Sequence, residues 1–278
     1  MNDPRPVSAL TIAGSDPGGG AGIQADLKTF AAHGVHGLSA ITALTAQHTR
    51  GVTGVFVPPV SFLQAQIDAC FDDFRIGAVK IGMLATSDVI HVVADAIERH
   101  APAVVILDPV MIATSGATLL ADDALDALRT RLLPLACLLT PNMPEAAMLS
   151  GMSIRSGADT ETAIATLHRQ GARAILLKGG HLDEGDAVID RYSDGTRTIT
   201  FSHPRLSLDA HGTGCTLASA IAARRCRGDD LASACRHAGD YVFGALHAGY
   251  RPGRSTVVVL DQAGPPPWMH PHNKKAGD

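Results

Sequence analysis

Short apolar runs alternate along the chain with longer amphipathic segments. The apolar runs are SALTIAG (8–14), AVKIG (78–82), AVVILDP (103–109), CLLTP (137–141) and AILLKG (174–179). Because they are almost continuously hydrophobic, they are typical of strands buried on both faces of a parallel sheet. The amphipathic segments between them, such as TSDVIHVVADAIERH (86–100) and ADDALDALRTRLL (121–133), predict helices.

The pattern changes in the last third of the chain. Residues 186–203 contain two alternating runs on either side of Asp194-Gly195, which predicts an antiparallel hairpin. Two helices, at about 214–227 and 230–249, are predicted after it. Strands that alternate with helices, followed by a late hairpin, predict an α/β fold: a three-layer sandwich with a mostly parallel central sheet and helices on both faces.

The organisation and composition indicate a globular protein with a small-molecule partner. No repeat or linker interrupts the chain before residue 260, so residues 1–260 are predicted to form one domain, and the proline-rich residues 261–278 a mobile tail. Of the 278 residues, 46% are hydrophobic and 18% are charged, which is typical of a chain that buries a core. The net charge of −4 gives no electrostatic reason to expect nucleic acid or a membrane surface as a partner.

The cysteines and the N-terminus are used to predict the cellular compartment of the protein. The five cysteines are odd in number and include no C-x-x-C pair, and the first residues lack the build of a signal peptide. No apolar run approaches the roughly 18 residues that a membrane span needs. Reduced thiols in the cytoplasm are the simplest account.

The carboxyl ends of the predicted strands are unusually polar, and ligands of open parallel sheets bind beyond these ends. The five ends read AGSDPGGGAG, KIGML, LDPVM, TPNMPE and LKGGH. Turn chemistry alone explains a polar residue at one strand end, but it is a weaker explanation for five ends of one sheet. We therefore expect the functional site along this edge.

The first of these ends, residues 14–22, resembles a nucleotide-binding loop but fits neither common motif. G-x-G-x-x-G fails because position 23 is Ile23, and no G-x-x-x-x-G-K-[ST] is present. The sequence therefore gives no support for a dinucleotide-dependent dehydrogenase or for a P-loop enzyme.

Two polar residues stand out near this loop. Asp26 interrupts the apolar stripe of the following helix, where a carboxylate is costly unless a polar group meets it. It is either a capping or salt-bridge residue, or it accepts hydrogen bonds from a buried ligand. Gln47 follows an apolar run, and its amide offers the donor and the acceptor that suit a heterocycle. We expect both side chains to face one cavity.

Three charged residues follow the later strands. Asp108 follows VVIL, Glu145 lies at a helix start in PNMPE, and Lys178 follows AILL. Two carboxylates at adjacent strand ends suit Mg²⁺, which prefers one or two carboxylates with water and phosphate. Lys178 either places a positive charge near a phosphate or simply extends to solvent from its strand end.

The stretch DAHGTGCTLASAIAA (209–223) places two glycines ahead of a helix of small residues. Gly212, Thr213 and Gly214 can turn several N–H groups inward, and the helix N-terminus adds a partial positive charge. This loop is predicted to be an anion hole for a transferring phosphoryl group. Cys215 lies in the first helical turn, where the same field is expected to lower the pKa of the thiol. The alternative is a small residue that only packs at the helix start.

Taken together, these stretches resemble a known family. TIAGSDPGGGAGIQADLKTFAAHGVHGLSAITALTAQ, KIGML, LDPVM, TPNMPEA, LKGGH and HGTGC are similar, in this order, to the hydroxymethylpyrimidine kinase/phosphomethylpyrimidine kinase of thiamine biosynthesis, over roughly residues 7–260. This family belongs to the ribokinase-like fold. The resemblance implies a cytoplasmic, homodimeric kinase. Its substrates would be ATP and 4-amino-5-hydroxymethyl-2-methylpyrimidine, which is phosphorylated first to the monophosphate and then to the diphosphate.

The resemblance also implies a role for each candidate residue. Cys215 stands where most ribokinase-like enzymes have an aspartate that acts as the base. The other implied roles are pyrimidine contact for Gly14, Asp26, Gln47, Met83 and Val110, contact with the ATP phosphates for Asn142, Lys178 and Thr213, and Mg²⁺ binding for Asp108 and Glu145.

Three alternative functions stay open. A pyridoxal kinase of the same fold is the nearest, because pyridoxal is also a flat heterocycle with a hydroxymethyl group. A sugar kinase is disfavoured by Cys215, where an aspartate is expected. A non-catalytic pyrimidine-binding or regulatory protein is disfavoured by the intact set of Asp108, Glu145, Lys178 and the loop 212–215.

Overall fold

The computed structural model describes residues 3–112, 116, 119–121, 123–182 and 184–263. The strands are β1 (Ser8–Ser15), β2 (His36–His48), β3 (Gly51–Phe56), β4 (Ile76–Ile81), β5 (Val105–Leu107), β6 (Leu138–Leu139), β7 (Ile175–Leu177), β8 (Ala187–Ser193), β9 (Thr198–Pro204), β10 (Ala210–His211) and β11 (Val258–Val259). The helices are α1 (Gly22–Ala32), α2 (Val60–Asp73), α3 (Ser87–His100), α4 (Ala124–Ala127), α5 (Met143–Ser150), α6 (Gly157–Arg169), α7 (Thr213–Cys226) and α8 (Leu231–His247).

In this part of the chain the strands form one large sheet and one small one. The large sheet has nine strands in the order β3-β2-β1-β4-β5-β6-β7-β8-β9, and β10 pairs with β11 separately. The strands from β2 to β7 in this order run parallel, while β3 at one edge and β8–β9 at the other are antiparallel. The predicted mostly parallel sandwich and the late hairpin are confirmed.

Successive residues of the central strands point to opposite faces and build two hydrophobic layers. Leu10 and Val79 pack in the layer that contains α2, α3, α5 and α6. Ala9 and Ala78 pack in the layer of α1, α7 and α8. Every residue of α7 from 216 to 223 is buried, and its small side chains let the helix lie close to the sheet. This packing holds the start of α7 at the carboxyl edge of the parallel strands.

Two local predictions differ from the structure. The segment 121–133 is not one regular helix, because α4 continues as a π-helical turn (Leu128–Leu132) and a 3₁₀ turn (Leu133–Leu135). Pro134 has no N–H group to donate, so the regular helical ladder cannot continue there. The hairpin of β2 and β3 was not predicted from the sequence, since only an apolar run leading to Gln47 was recognised there.

Other expectations concern the cysteines, the membrane and the tail. All five cysteines are free thiols, as expected. Across the described ranges, the helices fall short of the length and apolar character that a bilayer span needs. Residues 264–278 of the predicted tail lie outside the described residues.

One ion pair in the core ties four elements together. Lys80 on β4 and Asp26 on α1 are fully buried, and the lysine Nζ lies 2.8 Å from Oδ2 and 3.0 Å from Oδ1 of the carboxylate. The hydroxyl of Thr11 on β1 donates to Oδ2 at 2.6 Å, and the hydroxyl of Ser219 on α7 donates to Oδ1 at 2.6 Å. Because either charge would be costly to bury alone, these four groups depend on one another.

Removing one member of this pair should destabilise the fold strongly. We expect Asp26→Ala to lower the free energy of unfolding by about 3–5 kcal/mol, because the ammonium group of Lys80 stays buried without its counter-ion. Asp95→Ala is the matched control, since Asp95 pairs with Arg131 at the surface and should contribute at most about 1 kcal/mol. Urea unfolding measures both values. Equal losses in the two variants would contradict the prediction.

Candidate active site

A cavity of about 530 Å³ opens at the carboxyl edge of the parallel strands, where the sequence predicted the site. Its size is typical of small-molecule sites. The predicted site residues that line it are Gly14, Gln47, Met83, Asp108, Val110, Asn142, Glu145, Lys178, Gly212, Thr213, Gly214 and Cys215. The topology thus brings strand ends that are far apart in the sequence around one volume.

Asp26 is the exception, and the prediction that it faces the cavity is wrong. It is fully buried and is not part of the cavity wall. Both of its carboxylate oxygens accept hydrogen bonds within the core, from Lys80, Thr11 and Ser219. The polar partner expected for a carboxylate on this apolar face is Lys80. Of the two interpretations of Asp26, the salt bridge is therefore correct and the ligand contact is not.

Two glycine-rich loops meet at the wall of the cavity. Gly212 precedes α7 with φ +87°, and a Cβ at this position would overlap the carbonyl oxygen of Gly20. Gly22 has φ +57°, and a Cβ there would overlap the carbonyl oxygen of Gly14. Both positions therefore need glycine for conformation and for close approach. The first loop and the loop before α7 form one surface.

The start of α7 faces a positively charged side chain. The first N–H groups of the helix, at Thr213, Gly214 and Cys215, lie ahead of the intrahelical hydrogen-bond ladder. A Cβ at Gly214 would lie 3.0 Å from Nζ of Lys178 and 3.5 Å from Oδ2 of Asp108. The helix N-terminus and the ammonium group thus converge on one region, which suits a phosphate.

Cys215 is located as expected but its predicted ionisation is wrong. It lies in the first turn of α7 and contributes to the cavity wall. Burial raises the pKa of the thiol to about 11, and the nearby carboxylates of Asp26 and Asp108 act in the same direction. Lys80 and the backbone N–H of Gly22 lower the pKa, but by less. The helix field therefore does not keep a thiolate in the free protein at neutral pH.

Lys178 holds two carboxylates together at neighbouring strand ends. Its Nζ lies 2.9 Å from Oδ1 of Asp108 and 3.8 Å from Oε2 of Glu145. Burial alone would lower the pKa of Lys178, but the two carboxylates raise it above its ordinary value. Lys178 therefore does not simply extend to solvent; it is a fixed cation within the cavity wall.

Asn142 and Glu145 form a capping box at the start of α5. The side chain of Asn142 accepts a hydrogen bond from the N–H of Glu145 at 2.8 Å, and Oε2 of Glu145 accepts one from the N–H of Asn142 at 2.7 Å. Burial raises the pKa of Glu145 to about 7; Lys178 opposes this and Asp108 reinforces it. The folded protein thus holds a proton that the unfolded chain releases near pH 4.5, so this group makes stability fall as the pH rises from 4.5 to 7.

The donor set fits a hard cation that is shared with a ligand. Within the described residues there is no group of three or more His, Cys, Asp or Glu side chains that could hold a metal ion alone. Asp108 and Glu145 do offer two carboxylates at the cavity wall, and Mg²⁺ is often bound by one or two carboxylates together with phosphate oxygens and water. The residues therefore fit a magnesium ion that arrives with a phosphate ligand.

The wall near the first loop combines apolar and polar surfaces. Met83 clusters with Ala43 and Ala85, and Val110 packs against this cluster. Gln47 lies on β2 at the same cavity, and its side chain contacts Thr45 and His211. A flat ring with polar groups along one edge matches this combination.

Sequence reasoning missed three charged or titratable residues of this wall. Lys80 lies inside the apolar run AVKIG and is fully buried. A lysine in a strand predicted to be buried indicates a buried counter-ion, and this signal was available in the sequence. Asp16 and His211 lie within the motifs AGSDPGGGAG and HGTGC, where a polar residue beside a glycine turn does not by itself indicate a role. The structure places Oδ2 of Asp16 3.2 Å from Nε2 of His211, so these two motifs are in direct contact.

The sequence is similar to known proteins over most of its length. A family model described as phosphomethylpyrimidine kinase matches residues 16–259. The thiamine biosynthesis bifunctional protein ThiED of Geobacter sulfurreducens is 48% identical over 89% of this chain, which spans 50% of that protein's length. The hydroxymethylpyrimidine/phosphomethylpyrimidine kinase of Streptomyces coelicolor is 47% identical, with 88% of this chain and 90% of the relative covered.

Solved structures share the fold. The ADP complex of Bacillus subtilis pyridoxal kinase gives a TM-score of 0.85 at 32% identity and covers 92% of this chain and 97% of that one. Phosphomethylpyrimidine kinase from Clostridium difficile gives 0.77 at 38% identity, with 86% and 99% covered. These neighbours confirm the ribokinase-like fold. Since the family model spans most of its length and its relatives are almost half identical to it, the chain belongs to the phosphomethylpyrimidine kinase family.

Proposed function

We propose that the chain uses ATP to phosphorylate 4-amino-5-hydroxymethyl-2-methylpyrimidine and then its monophosphate, within thiamine diphosphate biosynthesis. One observation carries the proposal: a single cavity joins the amide of Gln47, the start of α7 and the cluster of Lys178, Asp108 and Glu145. The names of the relatives at 45–48% identity support this substrate. Pyridoxal kinases that share the fold have been solved with ADP and with AMP-PCP, which supports ATP as the phosphoryl donor.

ATP consumption by the wild-type protein tests this function. We expect turnover with the aminopyrimidine and with its monophosphate. Pyridoxal is the second candidate substrate, because a pyridoxal kinase gives a TM-score of 0.85 and a phosphomethylpyrimidine kinase gives 0.77. Turnover with pyridoxal alone would replace the proposed substrate, and no consumption with either heterocycle would favour a non-catalytic binding protein.

The phosphoryl groups would be held at the start of α7. The N–H groups of Thr213 and Gly214 and the charge of Lys178 would face the negative oxygens, and Asn142 lines the same region. Fixed donors of this kind stabilise the charge of a transferring phosphoryl group without having to reorganise. When bound through Asp108 and Glu145, Mg²⁺ would neutralise charge on the β- and γ-phosphates.

Cys215 would hold the reacting hydroxyl and, as a thiolate, receive its proton, so the thiol proton must first be released to solvent. In a loose transition state the hydroxyl needs positioning more than strong deprotonation, so the small thiolate fraction that the raised pKa leaves at neutral pH is compatible with this role. Lys80 favours the thiolate electrostatically, and it is fixed in place by Asp26. Asp26 would therefore support catalysis through Lys80 and not through contact with the pyrimidine.

The homodimer and the cytoplasmic location stay predictions. β3 forms one edge of the large sheet, and its residues Val55 and Phe56 are 45% and 62% exposed. Phe62 on the following helix α2 is also 62% exposed. A sheet edge next to large apolar side chains suits association with another chain, and a second copy is the expected partner.

Gly214→Ala should impair both phosphorylation steps. Its methyl group would lie 3.0 Å from Nζ of Lys178 and would separate the cation from the helix N-terminus. We expect kcat to fall by about 10²-fold or more for both the alcohol and the monophosphate, as for the loss of an oxyanion-hole donor. Gly244→Ala is the matched control, because no atom lies within 4 Å of a Cβ at that position. Loss of only one step would indicate two separate phosphoryl sites.

Cys215→Ala should lower kcat by about 10²–10⁴-fold and leave substrate binding nearly unchanged, because it removes a proton acceptor. Cys215→Asp should retain part of the activity, and Cys226→Ala, at the far end of α7, serves as the control. Since the pKa of Cys215 is raised to about 11, iodoacetamide should modify it slowly at pH 7 and about tenfold faster per pH unit above that. Wild-type turnover by Cys215→Ala would remove Cys215 from the mechanism.

The magnesium requirement should depend on pH through Glu145. The pKa of this carboxyl is raised to about 7, so below pH 7 it is mostly protonated and cannot bind the ion. We expect the Mg²⁺ concentration for half-maximal activity to fall as the pH rises from 6 to about 8. Glu145→Gln should raise that concentration and flatten its pH dependence, whereas the exposed Glu98→Gln should change neither. An unchanged pH dependence in Glu145→Gln would exclude Glu145 as a ligand.

A further inference from the structure

The side chain of Gln47 lies between two groups that constrain its amide. Its nitrogen lies 3.0 Å from Nε2 of His211, and its oxygen lies 3.1 Å from Oγ1 of Thr45. Nε2 of His211 also lies 3.2 Å from Oδ2 of Asp16. One ring nitrogen therefore faces both a carboxylate and the nitrogen of an amide. A ring nitrogen either carries a proton and donates or has a lone pair and accepts, so it cannot donate to the carboxylate and accept from the amide at the same time.

Asp16 is a fixed carboxylate. It is 3% exposed, Oδ1 accepts a hydrogen bond from the N–H of Gly18 at 2.8 Å, and Oδ2 accepts from the N–H groups of Gly20 at 3.1 Å and Ala21 at 2.9 Å. Burial alone would raise the pKa of Asp16, but hydrogen bonds from His211 and these backbone groups hold it below its ordinary value. An ionised carboxylate can only accept, so its contact with His211 requires the proton on Nε2.

A proton on Nε2 decides which end of the Gln47 amide faces His211. The lone pair of Nε2 is then unavailable, so the favourable orientation presents the amide oxygen to His211 and the amide nitrogen to Thr45. The hydroxyl of Thr45 donates to the carbonyl oxygen of Ser15 at 2.9 Å, which leaves an oxygen lone pair to accept from the amide N–H. A half-turn of the amide thus removes the conflict: the Nε2–H of His211 is shared between Oδ2 of Asp16 and the amide oxygen of Gln47, and the amide N–H donates to Thr45.

We propose that His211, oriented by Asp16, is a specificity-determining residue that fixes the amide of Gln47 with its oxygen on the His211 side and its nitrogen on the Thr45 side. The proposal rests on the proposed function, since it names how the heterocycle is selected in the same cavity. It assigns roles to Asp16 and His211, which come from the first loop and from the strand before α7.

The fixed amide selects the order of donor and acceptor on the ligand. The amide oxygen would accept from an amino group on the His211 side, and the amide N–H would donate to a ring nitrogen on the Thr45 side. An aminopyrimidine carries such an amino group next to a ring nitrogen. Pyridoxal carries an aldehyde oxygen where the aminopyrimidine has its amino group, so two acceptors would face each other. Leaving polar groups mismatched in a site gives strong discrimination.

Calorimetric binding of the aminopyrimidine and of pyridoxal to three variants tests this role without depending on turnover. His211→Gln places an amide N–H near the position of Nε2 and should retain the wild-type preference within about threefold. His211→Asn cannot reach Gln47 and should weaken aminopyrimidine binding at least tenfold while pyridoxal binding changes by less than threefold. His237→Asn is the control, because this histidine pairs with Asp229 at the surface.

The outcomes distinguish a failure of the role proposed for His211 from a failure of the proposed kinase function. Loss of the preference in His211→Asn together with its rescue in His211→Gln would support the role of His211. Equal weakening of both ligands, or an unchanged ratio of the two dissociation constants in His211→Asn, would overturn it. Failure of the wild-type protein to phosphorylate the aminopyrimidine that it binds would overturn the proposed function and leave the binding result to be interpreted by itself.

Discussion

The buried ion pair between Asp26 and Lys80 is the interaction on which the geometry of the cavity depends. It joins α1 to β4, and the hydroxyls of Thr11 and Ser219 extend it to β1 and α7. Because Ser219 lies little more than one turn after Cys215, the pair fixes the position of the helix start at the cavity wall. The same ammonium group is the largest of the influences that lower the pKa of Cys215. The structural and electrostatic roles of the pair therefore cannot be separated.

A second constraint is the contact between two loops that have no room for side chains. Gly212 meets the backbone of Gly20, and Gly22 meets that of Gly14, so the loop after β1 and the loop before α7 pack backbone to backbone. The contact between Asp16 and His211 adds a polar link across the same junction. As a result, the cavity wall that Gln47 lines and the wall at the start of α7 form one unit. A shift of either loop would change both binding surfaces together.

The sequence was sufficient to predict seven strands of the nine-stranded sheet and most of the cavity, because strand ends and glycine loops are local signals. Strands β1, β4, β5, β6 and β7 and the late hairpin follow from runs of apolar residues and from one turn. Asp26 was misplaced because a stripe of apolar residues shows that a face is buried but not which partner it meets. That partner, Lys80, lies 54 positions away. The pKa of Cys215 was predicted in the wrong direction because desolvation, which depends on the complete tertiary structure, outweighs the local helix field.

The charges of the cavity indicate how binding and chemistry are divided. Lys80 and Lys178 are held positive by neighbouring carboxylates, whereas burial keeps Cys215 protonated and Glu145 only partly ionised at neutral pH. The free site is thus arranged for incoming anions and not around a preformed nucleophile or base. Bound phosphates would disfavour a thiolate further, so the rate must come mainly from positioning and from stabilisation of phosphoryl charge. On the proposed function these elements would serve any flat alcohol that fits the cavity, so the choice of heterocycle would be made at the wall that Gln47 lines.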